Sequence, residues 1–366
     1  MSLYIFWIVT VFLISMACGF IFIPIILNFC KAKNLYDIPN SRKIHHNAIP
    51  RLGGITFMPS MLIAFAVAVM VIGATDKIIK VNVWTLCFLI SILLIYVMGI
   101  VDDILGLSPL TKFAVQIVAA CLLPMSYLYI NNMYGFMGIH EIPYYIGFPL
   151  TVLAIVFIDN AMNLIDGIDG LAASLSVIAL CGFIYIFASQ GIWLYAILIS
   201  GLVGVLVPFL YFNIFGNPAK NRKIFMGDAG SLTLGFIIGV LCVKYSMFNA
   251  CTIPHRHFDF IIPFTLLIIP MFDVVRVFAV RIYHRGSPFT ADKRHIHHKF
   301  MRAGLTQHQT LVCIITLALA YIAVNSMLLK IMSNTYVFFI DILIYIVLNL
   351  ALNHFIRKKE AVGTQP

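Results

Sequence analysis

Charge is the scarcest commodity in this chain. Only 10% of its 366 residues are charged, against 62% hydrophobic, and the mean hydropathy is +1.01. Soluble domains carry roughly 25% charged residues, so this chain lacks the polar surface that a water-soluble fold requires. Paired cysteines are also missing. The eight cysteines fall mainly in apolar segments with no CxxC spacing, which argues against both a disulfide framework and a zinc site. No GKS or GKT follows the glycine-rich stretch at 227–230, which excludes a P-loop. The first apolar run, Leu3 to Phe29, has neither a basic n-region nor a small-residue cleavage site, and reads as a retained helix rather than a signal peptide. No soluble domain, polar linker or fixed-period repeat stands out.

What is present is a series of apolar blocks about 20 residues long, the length a helix needs to cross the hydrocarbon core. The pattern predicts an all-α polytopic membrane protein forming a single domain over 1–366. About eleven spans are expected, near 3–29, 52–73, 82–101, 110–130, 147–161, 171–188, 191–213, 231–248, 259–280, 309–331 and 335–356. Of the 24 Lys and Arg residues, 19 fall after the odd-numbered spans and in the C-terminal tail, and 5 on the other side. Positive residues favour the cytoplasm, so the N-terminus is expected outside and the C-terminus inside. The net charge of +10 is thus mostly a topology signal rather than a nucleic-acid footprint. Outer loops are short or apolar, and the expected cytoplasmic site loops are 30–51, 102–109, 159–170, 214–230 and 281–308.

Ten of the fourteen acidic residues fall on that same cytoplasmic side, although the topology was drawn from Lys and Arg alone. Eight are expected at or beside helix ends: Asp102, Asp103, Asp159, Asp166, Asp169, Asp228, Asp273 and Asp292. Ionisable groups near membrane depth mark functional sites. Asp102-Asp103 closes the third span, where two carboxylates oppose the helix dipole and invite a cation; a solvated helix end is the plainer reading. In Asn160-Ala-Met-Asn163-Leu-Ile-Asp166-Gly-Ile-Asp169-Gly, a helical continuation would line up Asn163, Asp166 and Asp169 three apart. Such oxygen ligands suit Mg²⁺, while an Asx-rich turn accounts for the two Asp-Gly pairs alone. An EF-hand is ruled out by the lack of a loop of the required length and a closing Glu. Phe225-Met-Gly-Asp228-Ala-Gly-Ser231 opens the eighth span, where Asp228 can cap a helix and glycines allow a phosphate close to free N–H groups. Asn213 can cap the seventh span. Two basic segments complete the set. Arg42-Lys43-Ile-His45-His46-Asn-Ala-Ile-Pro50-Arg51-Leu-Gly53-Gly54 looks like a shaped loop. Arg294-His295-Ile-His297-His298-Lys299 can meet a pyrophosphate through charge-assisted hydrogen bonds. Asp273 and Arg276 read as a local ion pair.

Taken in this order, Ile100-Val101-Asp102-Asp103, Asn163-x-x-Asp166-Gly-x-Asp169-Gly, Phe225-Met-Gly-Asp228-x-Gly-Ser231 and His295-x-His297-His298 resemble the polyprenyl-phosphate N-acetylhexosamine-1-phosphate transferase superfamily. The likeness runs from Arg42 to about Thr306. The stretch Arg294 to Thr306 is most similar to the N-acetylglucosaminyl (WecA-type) branch. The muramoyl-pentapeptide branch carries three successive histidines where this chain has Ile296. The resemblance implies a bacterial inner-membrane enzyme with its site on the cytoplasmic face. Undecaprenyl phosphate would attack the β-phosphorus of a UDP-N-acetylhexosamine, GlcNAc by default with GalNAc, FucNAc or MurNAc-pentapeptide as alternatives, releasing UMP. It implies Mg²⁺, with Mn²⁺ able to substitute, on Asp228 with help from Asn163. Asp102 and Asp103 would position the lipid phosphate, one of them available to accept its proton, and Asp166 and Asp169 would complete the polar cleft. Arg294, His295, His297 and His298 would contact the pyrophosphate or sugar, Asn213 the uridine, and Lys43 and Arg51 the substrate. Implied partners are the UDP-sugar, undecaprenyl phosphate, the bilayer and, as an open option, a second copy of the chain in a homodimer. A transporter with an intramembrane ion path is the rival class, but the acidic residues gather at one face with none spaced through the bilayer.

Overall fold

The computed structural model describes residues 2–33, 35–36, 49–76, 83–248, 261–284 and 294–363. They form an all-α bundle with one small hairpin. The helices are α1 (Ser2–Lys33), α2 (Phe57–Asp76, entered through a 3₁₀ turn at Gly53–Thr56), α3 (Val83–Leu105), α4 (Pro109–Met125), α5 (Tyr144–Ile165), α6 (Leu171–Ser189), α7 (Trp193–Ile214), α8 (Gly227–Ser246), α9 (Ile261–Leu266), α10 (Ile268–Tyr283), α11 (Ile296–Arg302), α12 (Gln307–Leu328) and α13 (Asn334–Gly363). Strands β1 (Asn132–Phe136) and β2 (Ile139–Glu141) pair antiparallel.

Nine helices among the described residues are long and apolar enough to cross a membrane. The other two expected spans depart from expectation. The fourth ends at Met125, one residue past Pro124, and the chain then turns into the β1–β2 hairpin rather than running helical to 130. The ninth is broken at Leu267 into α9 and α10. The fifth runs four residues past its expected end, to Ile165. That extension leaves Asp159 inside the bundle, fully buried, and puts Asn163 in the last helical turn.

Helix α8 is the axis of the bundle. Nearly all of its residues are buried, packed chiefly against α5 and α3. Lipid tails give apolar helices no reason to leave them, so tight packing has to hold a membrane bundle together, and small residues allow it. A Cβ at Gly235 would stand 2.8 Å from the Asp159 Cα, and one at Gly239 would stand 3.3 Å from the Ile155 Cα. These two glycines, one turn apart, bring α8 against the backbone of α5. Outward-facing apolar side chains, such as Phe6 on α1, Ile90 on α3 and Leu350 on α13, remain exposed, as lipid contact requires.

The ends of α3, α5 and α7 and the start of α8 meet at one end of the bundle. Gly235→Ala forces backbone apart at the α5–α8 contact. It is expected to cost about 1–3 kcal/mol, read as a lower thermal midpoint of the detergent-purified protein.

Candidate active site

The site starts from an electrostatic conflict. Helix α3 ends in Asp102 and Asp103, where the helix dipole is already negative, while α8 begins with free N–H groups and a positive end. The fold joins the two. Asp103 Oδ1 accepts from the Asp228 N–H at 2.9 Å, and Oδ2 from the Ala229 N–H at 3.0 Å. One carboxylate therefore caps the first turn of a helix that is 125 residues further along the chain. Gly227 (φ +72°) makes the approach possible, because a Cβ there would lie 2.0 Å from the Arg51 carbonyl and 2.4 Å from Asp103 Oδ2. Asp228 accordingly does not cap its own helix, and its side chain points to other partners.

Lys112, near the start of α4, supplies the cation. Its ammonium lies 3.0 Å from Asp102 Oδ2 and 2.7 Å from Asp228 Oδ2. Asp102 Oδ1 meanwhile accepts from the Leu107 N–H at 2.6 Å, closing the end of α3. Asn163 donates through Nδ2 to Asp228 Oδ1 (3.0 Å) and to the Ser231 hydroxyl (2.8 Å). Asn163, expected beside Asp228 on a metal ion, is hydrogen-bonded to it, and Asp102 joins the pair through Lys112. In the sequence Lys112 is one of the 19 Lys and Arg residues of the topology signal. Its signal was positional, since it lies ten residues from Asp102, across the turn that Ser108 and Pro109 open.

The expected alignment of Asn163, Asp166 and Asp169 is corrected by the fold. Helix α5 stops at Ile165, Asp166 occupies the cap position, and Asp169 lies in the following turn. Asp169 pairs with Lys223 at 2.6 Å. Asp166 is half-buried beside the cluster. Burial first, then the carboxylates of Asp228, Asp169 and Asp103, lifts it to about 7.

The basic loop 49–54 is shaped, as its Pro and Gly suggested. Gly53 and Gly54 donate to the carbonyls of Phe225 and Met226 at 2.9 and 2.8 Å, and Phe225 donates to Pro50 at 2.7 Å. This backbone pairing sets the segment against the start of α8. Arg51 reaches the Asp103 carbonyl with Nε and Nη2 at 3.1 and 2.9 Å, so part of its donor capacity neutralises the C-terminus of α3. Lys43 lies outside the described residues. Asn213 is buried with both ends of its amide engaged: Oδ1 accepts from the Gly170 N–H (2.6 Å) and Nδ2 donates to the Ile224 carbonyl (2.8 Å). It staples two loops together rather than presenting its amide to a base.

The histidine segment forms the other wall. His295 Nδ1 lies 2.8 Å from Asp273 Oδ2. His297 is 1% exposed, and neither ring nitrogen has a hydrogen-bond partner among the described residues. It packs on Gly167, where a Cβ would stand 2.2 Å from Nε2. Burial, with His298 and His295 nearby, holds its pKa down at about 3. His297 is therefore a neutral ring inside the fold, not one of the positive contacts the segment suggested. Arg294 is exposed and His298 half-buried at the surface of the same segment. Asp273, read as a local ion partner, is the hub of this wall: it is fully buried and meets Arg276 (2.7 Å), His295, the Ile296 N–H (2.9 Å) and the Tyr345 hydroxyl (3.4 Å).

Oxygen donors and fixed cations at the closed end of a membrane bundle define a membrane enzyme that handles anionic groups. Comparison with known proteins gives the class its family. The glycosyl transferase family 4 model matches residues 85–246, from α3 to the end of α8, and so includes the Asp102, Lys112, Asn163 and Asp228 cluster. The chain is 32% identical to a probable undecaprenyl-phosphate N-acetylglucosaminyl 1-phosphate transferase of Bacillus subtilis (strain 168), over 88% of its own length and 85% of the relative's. It is 30% identical to the undecaprenyl-phosphate alpha-N-acetylglucosaminyl 1-phosphate transferase of Yersinia pestis, over 86% and 80%, and 32% identical to that of Escherichia coli (strain K12), over 83% and 80%. The chain belongs to glycosyl transferase family 4 and is a membrane-embedded sugar-phosphate transferase.

Two outcomes follow from the histidine wall. An imidazole whose pKa falls on folding favours the folded state above its ordinary value of 6.5, and that contribution is lost as pH drops toward 3. Between pH 7.5 and 5.5 the wild type should therefore lose about 1.4 kcal/mol relative to His297→Gln, measured by denaturant unfolding of both proteins in detergent. Asp166, whose contribution runs the opposite way with pH, is common to both. Gly167→Ala should drive the His297 ring from its seat and lower turnover at least about tenfold, scored by product release from equal amounts of folded protein.

Proposed function

We propose that this protein transfers N-acetylglucosamine 1-phosphate from UDP-GlcNAc to undecaprenyl phosphate, giving undecaprenyl-pyrophosphoryl-GlcNAc and UMP. The reaction would take place at the cytoplasmic face of the bacterial inner membrane. One observation carries the reading: carboxylates from the end of α3 and the start of α8 share a single cation beside Asn163. Relatives over most of the chain are named for this transfer. The side carrying 19 of the 24 Lys and Arg residues supports a cytoplasmic site, where UDP-sugars are found.

Phosphoryl transfer asks a protein mainly for positioning and charge stabilisation. A phosphate monoester is already largely ionised at neutral pH, its second pKa lying near 6, so the attacking oxygen needs no strong base. This agrees with Asp103, whose two oxygens are occupied by the N–H groups of α8. Asp103 fixes the start of α8 and so the direction of Asp228. Asp102 and Asp228 hold a positive charge in place between them. Lys223 and Arg294 bring further positive charge to the diphosphate, and His295 presents a ring to the sugar. The chain of the lipid would lie in an apolar groove of about 350 Å³ between α5, α8, α9 and α10, lined by Leu153, Phe157, Val243, Phe264 and Met271.

Mg²⁺, with Mn²⁺ able to substitute, fits the donor set. Among the described residues no three His, Cys, Asp or Glu side chains are grouped to hold a metal. Mg²⁺ asks for no such cage, since it takes one or two carboxylates, waters and substrate phosphates. Asp228, with Asn163 beside it as expected, would supply such a ligand, and Asp102 stands on the far side of the Lys112 ammonium, which would have to make room for the ion. When bound, the ion would neutralise charge on the diphosphate and the departing UMP.

The test is UMP release by purified protein in detergent with Mg²⁺, undecaprenyl phosphate and a panel of UDP-GlcNAc, UDP-GalNAc, UDP-FucNAc and UDP-MurNAc-pentapeptide. Lipid-dependent, EDTA-sensitive release with UDP-GlcNAc preferred is expected. Preference for another donor would replace the sugar, and silence with all four from folded protein would overturn the reading. Lys112→Met should lower kcat/KM by about 10²-fold or more. Asp228→Ala should abolish release without removing the protein from the membrane.

A further inference from the structure

Asp273 is remote from the Asp102–Asp228 cation position in sequence and belongs to a different wall, yet it is the most heavily engaged carboxylate among the described residues. Its Oδ1 accepts from Arg276 Nη2 at 2.7 Å, from the Ile296 N–H at 2.9 Å and, at the longer distance of 3.4 Å, from the Tyr345 hydroxyl. Its Oδ2 meets one group, the Nδ1 of His295, at 2.8 Å. Arg276 also donates to the Arg294 carbonyl at 2.5 Å. The carboxylate and its ion partner thus tie down the backbone on both sides of His295, at residues 294 and 296. Helix α13 closes the arrangement from behind through Tyr345 and through Asn349, which accepts from Lys299 at 2.7 Å.

This wiring constrains which nitrogen of His295 carries the proton. A carboxylate flanked by a guanidinium and a backbone N–H is an acceptor only, so the ring nitrogen facing it has to be the donor. Nδ1 bears the hydrogen, and Nε2 is the nitrogen left without a partner among the described residues. Asp273 is a fully buried carboxylate with one oxygen consumed by the scaffold and the other reserved for one imidazole.

We propose that Asp273 is a positioning residue for the transferase reaction, holding His295 as the Nδ1–H form with its ring turned so that Nε2, an acceptor, meets a hydroxyl or amide N–H of the bound sugar. The proposal rests on the transferase reading above. It assigns to a buried helix position a function exerted wholly through His295, and it makes the last helix, α13, part of the support of the active site.

Asp273→Asn separates the two jobs of the carboxylate. Its remaining oxygen can stay with Arg276 and the Ile296 N–H, but its new NH₂ then faces Nδ1 and forces that nitrogen to become the acceptor. The ring is left with its proton on Nε2. Expected is a loss of kcat/KM on the order of 10²-fold, by analogy with other Asp-to-Asn changes behind a histidine. His295→Gln removes the ring through which Asp273 acts. In that background, Asp273→Asn should change kcat/KM by less than about threefold, the two losses being non-additive. Full additivity, with Asp273→Asn costing as much in the His295→Gln background as in the wild type, would reduce Asp273 to a scaffold residue and overturn the proposal. A second measurement does not depend on Asp273→Asn folding. In ¹⁵N-histidine spectra of the wild type, the signal lost in His295→Gln should report a protonated Nδ1, and a neutral ring protonated at Nε2 contradicts the proposal. A wild type that releases no UMP with any donor defeats the transferase reading instead, and the spectra still decide the state of the ring.

Discussion

The bond between Asp103 and the start of α8 is the constraint on which the rest of the site depends. Two carboxylates at a helix C-terminus are electrostatically unfavourable, and so are unsatisfied N–H groups at a buried helix N-terminus. Placing one against the other resolves both, and it fixes where α3 and α8 meet to within a hydrogen bond. Everything nearby follows from that junction. Gly227 is needed because nothing larger fits between Arg51 and Asp103. Asp228 is turned away from its own helix end, and Asp102 and Lys112 fall beside it.

The same economy governs the other wall. A charge buried in apolar surroundings is costly unless it is paired and hydrogen-bonded. Asp273 meets that requirement by gathering a guanidinium, a backbone N–H, a phenol and an imidazole. The outcome is order imparted to a short helix, α11, too brief to be stable alone. His297 adds to this by packing as a neutral ring on Gly167, so the two adjacent positions 297 and 298 differ sharply in what they offer a ligand: one is core, the other lies at the surface.

Much of the site was legible because the residues involved are chemically out of place. Asp102, Asp103, Asp228, Asn163 and the histidine run stand out in a chain with so little charge, and the Lys and Arg bias by itself gathers them on one side. Other features were hidden for identifiable reasons. Lys112 looked like any other positive residue in an inward loop, since its two partners are 10 and 116 residues away. Asn213 looked available because its two backbone partners come from different loops. Asp273 looked like half of a local pair, because the i, i+3 spacing to Arg276 explains one contact and conceals the other three.

Composition, block length and charge bias determined by themselves that the chain is a helical membrane protein with its chemistry gathered at one end. These properties depend on the cost of exposing or burying each residue, which is local to the sequence. Where α5 ends, where the ninth span breaks, and which carboxylates cap helices rather than face a cation were decided only by the tertiary structure. The last of these depends on a carboxylate and backbone N–H groups more than a hundred residues apart coming within hydrogen-bond distance, and no local pattern of residues encodes that meeting.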